Sequence, residues 1–370
     1  MRKTISKKIT YAAVGDNYYT KDPIKKLAQI AARQTAKNPK KNFKEFSSSR
    51  GESAYVFKIG DQFFASVVEG LGTKNLVADA MRSVTGKTYY DIIGHDTVAT
   101  IVNDLISTGA KPLVVHAYWA IEDNSWLEDK QRMNDFISGW KSACDFSGAS
   151  WGGGETPTLK GIIEPQTVDL GGSALGIIKS EKAIITDQNL KIGDKIVLIR
   201  SNGINANGIS LARAISAKLP KGYATKLPSG KLFGEAILTK TNIYAKLVQD
   251  LIEAGIKIQY ISNITGHGLR KIMRARQNFT YLIEKLFEPQ EVFNFIKKHA
   301  GVNDYEMYQT FNMGADYAIF TNPQDVKKTQ SVIAKNKFQS IVAGEIKPGP
   351  RQVKIIPKNI TFTSETLDLR

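Results

Sequence analysis

Three acidic, glycine-punctuated segments follow one another in the first half of this 370-residue chain, and they constrain it more than any other feature. They are Val68-Glu69-Gly70-Leu71-Gly72-Thr73-Lys74, then Gly94-His95-Asp96-Thr97 running into Val102-Asn103-Asp104-Leu105, then Gly152-Gly153-Gly154-Glu155-Thr156. Each sets a carboxylate beside residues that let the backbone come close to a ligand. Mg²⁺ suits such a setting, because it takes one or two carboxylates and completes its shell with phosphate oxygens and water. Lys74 adds the point charge that a polyphosphate attracts. The chemistry points to a Mg-nucleotide site built without a P-loop. The one Walker-like string, Gly86-Lys87-Thr88, lacks its first glycine, which would fall at Met81, and reads as a turn.

The patterning places these segments on elements. Phe63 to Val68 is a short apolar run, hence a strand entering the first loop. From Asp96 onward, Val98, Ile101, Val102, Leu105 and Ile106 trace one helical stripe. Asp96, Thr100 and Asn103 or Asp104 share its polar face, which would wall a metal-phosphate site. Lys111 to Ile121 reads as a buried strand and Lys130 to Ser147 as an amphipathic helix. Val168 to Ile178 reads as a strand of small residues that another backbone or a ligand approaches closely. Asp22-Pro23 reads as the cap and first residue of a helix carrying Ile24, Leu27, Ile30 and Ala31, and residues 37–50 as a flexible basic loop. The polar stretch Lys179–Lys191 divides the chain into domains 1–178 and 179–370. Beyond it come a strand at Asp194–Arg200, the turn-dense loop Ser201–Gly208, a helix from Ser210 and the Thr265-Gly266-His267-Gly268 turn. Strands alternating with helices give a layered α/β class.

Charge and cysteine usage narrow the partners. Fifty-one Lys/Arg against thirty-five Asp/Glu leave +16, and residues 1–50, with thirteen basic and three acidic side chains, hold +10 of it. No recognition motif or base-stacking aromatic ladder accompanies this charge, so it favours anionic metabolites over nucleic acid. The basic run Met1–Lys8 has no apolar segment behind it and is no secretory signal. No run is apolar enough to span a bilayer. A single cysteine excludes a disulfide framework and fits a cytoplasmic protein. Cys144 lies on the stripe Met133, Phe136, Ile137, Trp140 and reads as core. The four histidines, at 95, 116, 267 and 299, have no zinc-like spacing. His116 reads as a core or interface residue; His267, between two glycines, is the more suggestive.

With these residues laid out, the chain resembles the phosphoribosylformylglycinamidine cyclo-ligase (aminoimidazole ribonucleotide synthetase) family from about Val67 to Glu345. Glu69-Gly70-Leu71-Gly72-Thr73-Lys74 is similar to the family's Asp-Gly-Val-Gly-Thr-Lys loop. Asp96 through Leu105 with Gly109-Ala110-Lys111-Pro112, then Gly153-Gly154-Glu155-Thr156, then Asp169-Leu170-Gly171-Gly172 follow its next signatures in order. Ser201-Asn202-Gly203 with Asn207-Gly208, Thr265-Gly266, Pro289–Asn294 and the long Glu306–Gly314 string resemble its second half.

The resemblance implies a two-domain architecture in which N-terminal strands pair into a barrel shared by a homodimer. It implies ATP-dependent cyclisation of formylglycinamidine ribonucleotide in purine biosynthesis, with Mg²⁺. Carried onto this chain, nucleotide binding falls to Glu69, Gly70, Gly72, Thr73, Lys74, Asp96, Asn103, Asp104, Gly154, Glu155 and Thr156. Glu69, Asp96 and Glu155 would be the metal ligands. Substrate binding falls to Asn207, Gly208, Thr265 and Gly266, with Asn205 and His267 at the ring-closing chemistry. The chain departs from the pattern at Glu69, where the family has aspartate, and at Asn205, where it often has histidine. Its Thr-Gly-His-Gly replaces Thr-Gly-Gly-Gly. An amide cannot act as a base, which leaves His267 as the nearest ionisable group. Two other readings stay open: a phosphotransferase like thiamine-monophosphate kinase, and a nucleotide-binding paralogue without turnover.

Overall fold

The protein is described by a computed structural model that covers residues 18–367. The basic run Met1–Lys8 lies outside the described residues. Helix α1 (Tyr18–Gln34) contains Pro23 rather than opening on it. The proline forfeits one backbone bond to the carbonyl four residues back without ending the helix. Its expected packing stripe faces solvent, with Ile24 64%, Leu27 63% and Ile30 56% exposed. Residues 37–50 are not uniformly loop: strand β1 (Phe43–Glu45) and a 3₁₀ turn at Ser47–Ser49 lie within them, and Ser48 and Ser49 are buried.

The first sheet continues with β2 (Tyr55–Ile59) and β3 (Gln62–Gly70). Helices α2 (Lys74–Thr85) and α3 (Tyr90–Ile106) precede β4 (Lys111–Ile121), and α4 (Lys130–Ser147) precedes β5 (Ser150–Glu155) and β6 (Val168–Ile178). The strand order is β1-β2-β3-β6-β4-β5, antiparallel except where β5 runs parallel to β4. The helix stripe expected from Val98 to Ile106 is fully buried. Trp119, Phe136 and Trp140 pack edge-on or tilted between β4 and α4. Each such buried aromatic or aliphatic side chain stabilises the fold by roughly 1.5–3 kcal/mol. Cys144 is in this core, and burial pushes its thiol up to about 11, so it is inert.

Among the described residues helices cover one face of the sheet, and that corrects the reading of Lys111–Ile121 as a buried strand. Its residues alternate between covered and open, and Val68, Leu113 and Tyr118 stand 78%, 39% and 40% exposed on the open side. His116 is exposed there too and is not a core residue.

The second half contains β7 (Lys195–Arg200), α5 (Ile209–Ser216), α6 (Phe233–Ile237), α7 (Ala245–Glu253), β8 (Ile258–Asn263) and β9 (Phe279–Ile283). It goes on through α8 (Glu291–Ala300), α9 (Asp304–Thr310), β10 (Ala315–Thr321), α10 (Val326–Lys335), β11 (Ser340–Pro348), β12 (Gln352–Ile355) and β13 (Ile360–Thr363). Seven strands form one sheet in the order β13-β12-β9-β11-β7-β10-β8. Only the β12–β9 pair is parallel. β8 and β10 are buried along their whole lengths, including the polar side chains of Asn263 and Asp316. Among the described residues, no helix is long and apolar enough to cross a membrane.

Candidate active site

A cavity of about 210 Å³ lies where the two halves meet. The end of β3 and the turn into α2 form one wall, with Glu69, Gly70, Gly72 and Thr73; α3 contributes Thr100 and Asp104. The second half supplies Asn207, Gly208, Ile209 and Ser210 at the start of α5, and Thr265. Two helix N-termini thus open on one space, each with backbone N–H groups that have no intrahelical acceptor and favour an anion. Across from them stands a pair of carboxylates.

Gly208 is required by this geometry. Its φ is +79°, and a Cβ there would lie 2.0 Å from the ring of Phe311. Phe311 belongs to the long Glu306–Gly314 string, whose work is now visible as support. Asn312 accepts from Ser201 Oγ at 3.0 Å and donates to the Gly203 carbonyl at 2.8 Å, pinning the loop that leads into α5.

Glu69 and Asp104 carry the electrostatics. Burial, then the Asp104 carboxylate beside it, pushes the Glu69 carboxyl up to about 7. Asp104 is fixed by Asn263, which donates to its Oδ1 at 2.7 Å. Two carboxylates that resist ionising together, facing helix ends that attract phosphate, form a donor set that fits Mg²⁺ bridged to a nucleotide.

The three-carboxylate ligand set of Glu69, Asp96 and Glu155 is not assembled, and this corrects the expectation. Asp96 is fully buried; its Oδ2 accepts from Lys74 Nζ at 2.6 Å and its Oδ1 from the Thr241 backbone N–H at 2.8 Å. Lys74 also donates to the Thr239 carbonyl at 2.9 Å, so its ammonium is spent inside the protein and does not face the cavity. Asn103 belongs to the same seam, donating to the Asn242 carbonyl at 2.8 Å and accepting from the Tyr244 N–H at 3.1 Å. The polar face of α3 therefore fastens the 239–244 loop of the second half, and only Asp104, with Thr100, reaches the cavity.

Glu155 is separated by register. Glu155, Tyr118, Gly171 and Gly70 stand opposite one another across β5, β4, β6 and β3. Three strand spacings make about 14 Å. Glu69 belongs to the neighbouring row, with Gly172, Ala117 and Gly154. That row faces α3, since a Cβ on Gly172 would meet Ile101 of that helix at 2.9 Å. One residue of offset reverses the face, so Glu155 points to the open side, away from Glu69. Gly153, Gly154 and Glu155 are exposed, and so is Thr156 just beyond the strand.

Asn205 and His267 flank the cavity without lining it. Asn205, at φ 59°, donates from Nδ2 to Asp316 Oδ2 at 2.8 Å. Asp316 is fully buried and also accepts from the Tyr244 hydroxyl; burial raises its carboxyl to about 6 against those two hydrogen bonds. His267, between Gly266 and Gly268, is 8% exposed. Burial, reinforced by the charges of Arg270, Lys271 and Arg274, holds its pKa well below the usual value. The ring is therefore held neutral at physiological pH. Sequence reading missed Asp316, Asn263 and Lys271. Asp316 sits in an apolar strand and Lys271 in a run of basic residues, and neither pattern marks a site.

Comparison with known proteins agrees with this architecture. Residues 51–178 match the family described as AIR synthase related protein, N-terminal domain, and residues 191–356 match its C-terminal domain. The phosphoribosylformylglycinamidine cyclo-ligase of Methanocaldococcus jannaschii is 34% identical over 295 residues, covering 79% of this chain and 81% of that protein. The cyclo-ligase of Methanococcus maripaludis strain C6 is 31% identical over 342 residues, covering 91% and 92%. Among solved structures, the AaThiL complex with AMPPCP and TMP matches with a TM-score of 0.61 at 14% identity, over 93% of this chain and 96% of that one. The HypE–HypF complex matches with a TM-score of 0.61 at 17% identity, over 91% and 98%. At these identities the structures speak to fold alone.

Proposed function

The chain belongs to the phosphoribosylformylglycinamidine cyclo-ligase family, and from that premise we propose that it closes the imidazole ring of aminoimidazole ribonucleotide at the cost of ATP. ATP phosphorylates the amide oxygen of formylglycinamidine ribonucleotide, the amidine nitrogen attacks the activated carbon, and phosphate leaves. What such a step demands of a protein is neutralised charge on the phosphoryl group and in-line placement of the oxygen.

The observation that carries this reading is the Glu69–Asp104 pair facing two helix N-termini across one cavity. Glu69 and Asp104 would hold Mg²⁺, which when bound neutralises the transferring phosphate. The start of α5, with Asn207 and Gly208, would hold a second anion such as the ribose 5′-phosphate. Thr265 and Gly266 would complete that wall. Asn205 commits one Nδ2 hydrogen to Asp316, and its carbonyl oxygen can accept from a substrate N–H. Ring closure at this site then rests on positioning, because Asp316, the titratable group bonded to Asn205, is buried.

Residues 1–178 would form the nucleotide and dimerisation unit and 179–370 the substrate unit. The homodimer is supported by the uncovered sheet face bearing Val68, Leu113 and Tyr118, and by β5 as an edge strand. A partner closing that face would cover Gly154, Glu155 and Thr156. A cytoplasmic setting is consistent with the small-molecule chemistry. The test is a coupled assay of the purified chain with ATP, Mg²⁺ and formylglycinamidine ribonucleotide, following aminoimidazole ribonucleotide. Thiamine monophosphate as acceptor is the control, and its phosphorylation in place of ring formation would overturn the reading.

A further inference from the structure

A lysine lies beneath the cavity that the reaction just described does not use. Lys271 sits in the 3₁₀ segment Gly268–Met273, in which every residue is buried, and is itself 5% exposed. Its ammonium donates to Thr265 Oγ1 at 2.5 Å, and its carbonyl accepts from Ser262 Oγ at 3.0 Å. Thr265 lines the same cavity as Glu69 and Asp104. An ammonium without hydration is costly unless charge meets it. The carboxylates acting on this one are Asp104, Glu69 and Glu52, with Arg274 opposing them.

The donor count at Thr265 is informative. An ammonium only donates, so Thr265 Oγ1 is the acceptor of that bond and its own proton must point elsewhere. Among the described residues no acceptor receives that proton. Thr73 Oγ1, on the α2 side of the cavity, is buried and likewise has no partner among the described residues. Two hydroxyls whose protons no acceptor takes among the described residues therefore border a space that two helix N-termini also face, and both suit the oxygens of an anion.

We propose that Lys271 is a positioning residue of the nucleotide site: through its bond to Thr265 it turns that hydroxyl toward a phosphate oxygen, and from below it balances the Glu69–Asp104 pair. This rests on reading the cavity as the Mg-nucleotide site, and it gives Lys271 the electrostatic part that Lys74, tied to Asp96, does not play.

The experiment measures MgATP binding by calorimetry, with thermal melting, on the full chain and on Lys271→Met, Thr265→Val, Thr265→Ser and the Lys271→Met/Thr265→Val double variant. Lys271→Met is expected to bind MgATP about tenfold or more weakly, the scale of one charge-assisted hydrogen bond. Its melting temperature is expected to fall as well, since removing one member of a buried charge cluster leaves the carboxylates uncompensated, so MgATP affinity in the folded fraction decides. Thr265→Val should show the same loss, Thr265→Ser should recover the affinity, and the double variant should lose no more than either single one. A lysine that only braces the fold would lower the melting temperature and leave MgATP affinity unchanged in the folded fraction. That outcome, or additive losses in the double variant, overturns the proposal. Should Lys271→Met not fold, unchanged MgATP affinity in Thr265→Val overturns it equally. A wild-type chain that binds no MgATP overturns it too. One that binds MgATP but forms no ring product sinks the cyclo-ligase reading and leaves this inference intact.

Discussion

Lys74 Nζ and Asp96 Oδ2 lie 2.6 Å apart with neither side chain exposed, and the pair joins the two halves of the chain. Lys74 opens α2 and Asp96 lies in α3, yet their remaining bonds go to Thr239 and Thr241 of the second half. His95 adds a contact at 2.9 Å to the Thr241 carbonyl. The ends of this seam set the spacing between the Glu69–Asp104 wall and the α5 wall.

Breaking that pair should act on stability before it acts on binding. Asp96→Asn leaves an ammonium buried without its counter-charge, and a loss of about 3–5 kcal/mol is expected. Lys74→Met together with Asp96→Leu should recover much of it. Urea unfolding of the singles and the double measures this. Full stability in Asp96→Asn with abolished MgATP binding would instead return Asp96 to the ligand set.

The carboxylates of the cavity should behave differently. Glu69→Gln and Asp104→Asn are each expected to cut Mg-dependent ATP turnover by about a hundredfold or more, the scale of losing one electrostatic stabiliser, while leaving the fold intact. Initial rates at saturating Mg²⁺ provide the check. Near-normal rates in both variants would move the site elsewhere.

The raised Glu69 carboxyl has a pH signature with a definite sign. Its native value of about 7 lies above the usual 4.5, so between those limits the folded protein binds more protons than the unfolded one. Stability of the ligand-free chain therefore falls as pH rises from about 4.5 to about 7 and levels off above. Asp316, raised to about 6, adds a fall in the same direction within that window. Thermal melts across pH 5–8 should show the decline, and Glu69→Gln should remove it above about pH 6 and leave the Asp316 share below. A variant with the wild-type slope above pH 6 contradicts the assignment.

His267 should be silent in the pH–rate profile. Its lowered pKa keeps it neutral from physiological pH down to well below 6.5. In terms of stability, a neutral buried histidine binds fewer protons than the unfolded chain below 6.5, so its contribution is lost as pH falls. His267→Asn is expected to leave the acid limb of kcat/KM where it was. Movement of that limb would restore the histidine as a proton carrier.

The open face of the first sheet should be covered in solution. Light scattering at micromolar concentration is expected to report a homodimer, and Tyr118→Glu, placing charge on that face, should shift it toward monomer. A monomeric wild-type chain would remove the shared barrel from the proposal.

Much of this was legible along the chain. The apolar run Phe63–Val68 and the small residues of Val168–Ile178 announced strands, and the stripe from Val98 to Ile106 announced a buried helix face. These are local requirements of backbone conformation and periodic burial, which a sequence records residue by residue. The order of the acidic segments carried the family, because many local requirements in series are hard to meet otherwise.

Which carboxylate serves the site was decided only by the fold. Asp96 and Asp104 lie two turns apart on one helix, yet the first meets a lysine and a loop from over a hundred residues away while the second lines the cavity. Glu69 and Glu155 share the same Glu-beside-Gly chemistry, but a one-residue difference in strand register sends them to opposite faces of a sheet. Burial, the partner across the seam and the neighbouring charge fix whether an acid is a brace or a ligand. All three belong to the tertiary contacts, so residue type and spacing leave the roles of Lys74, Asp96, His267 and Lys271 undetermined.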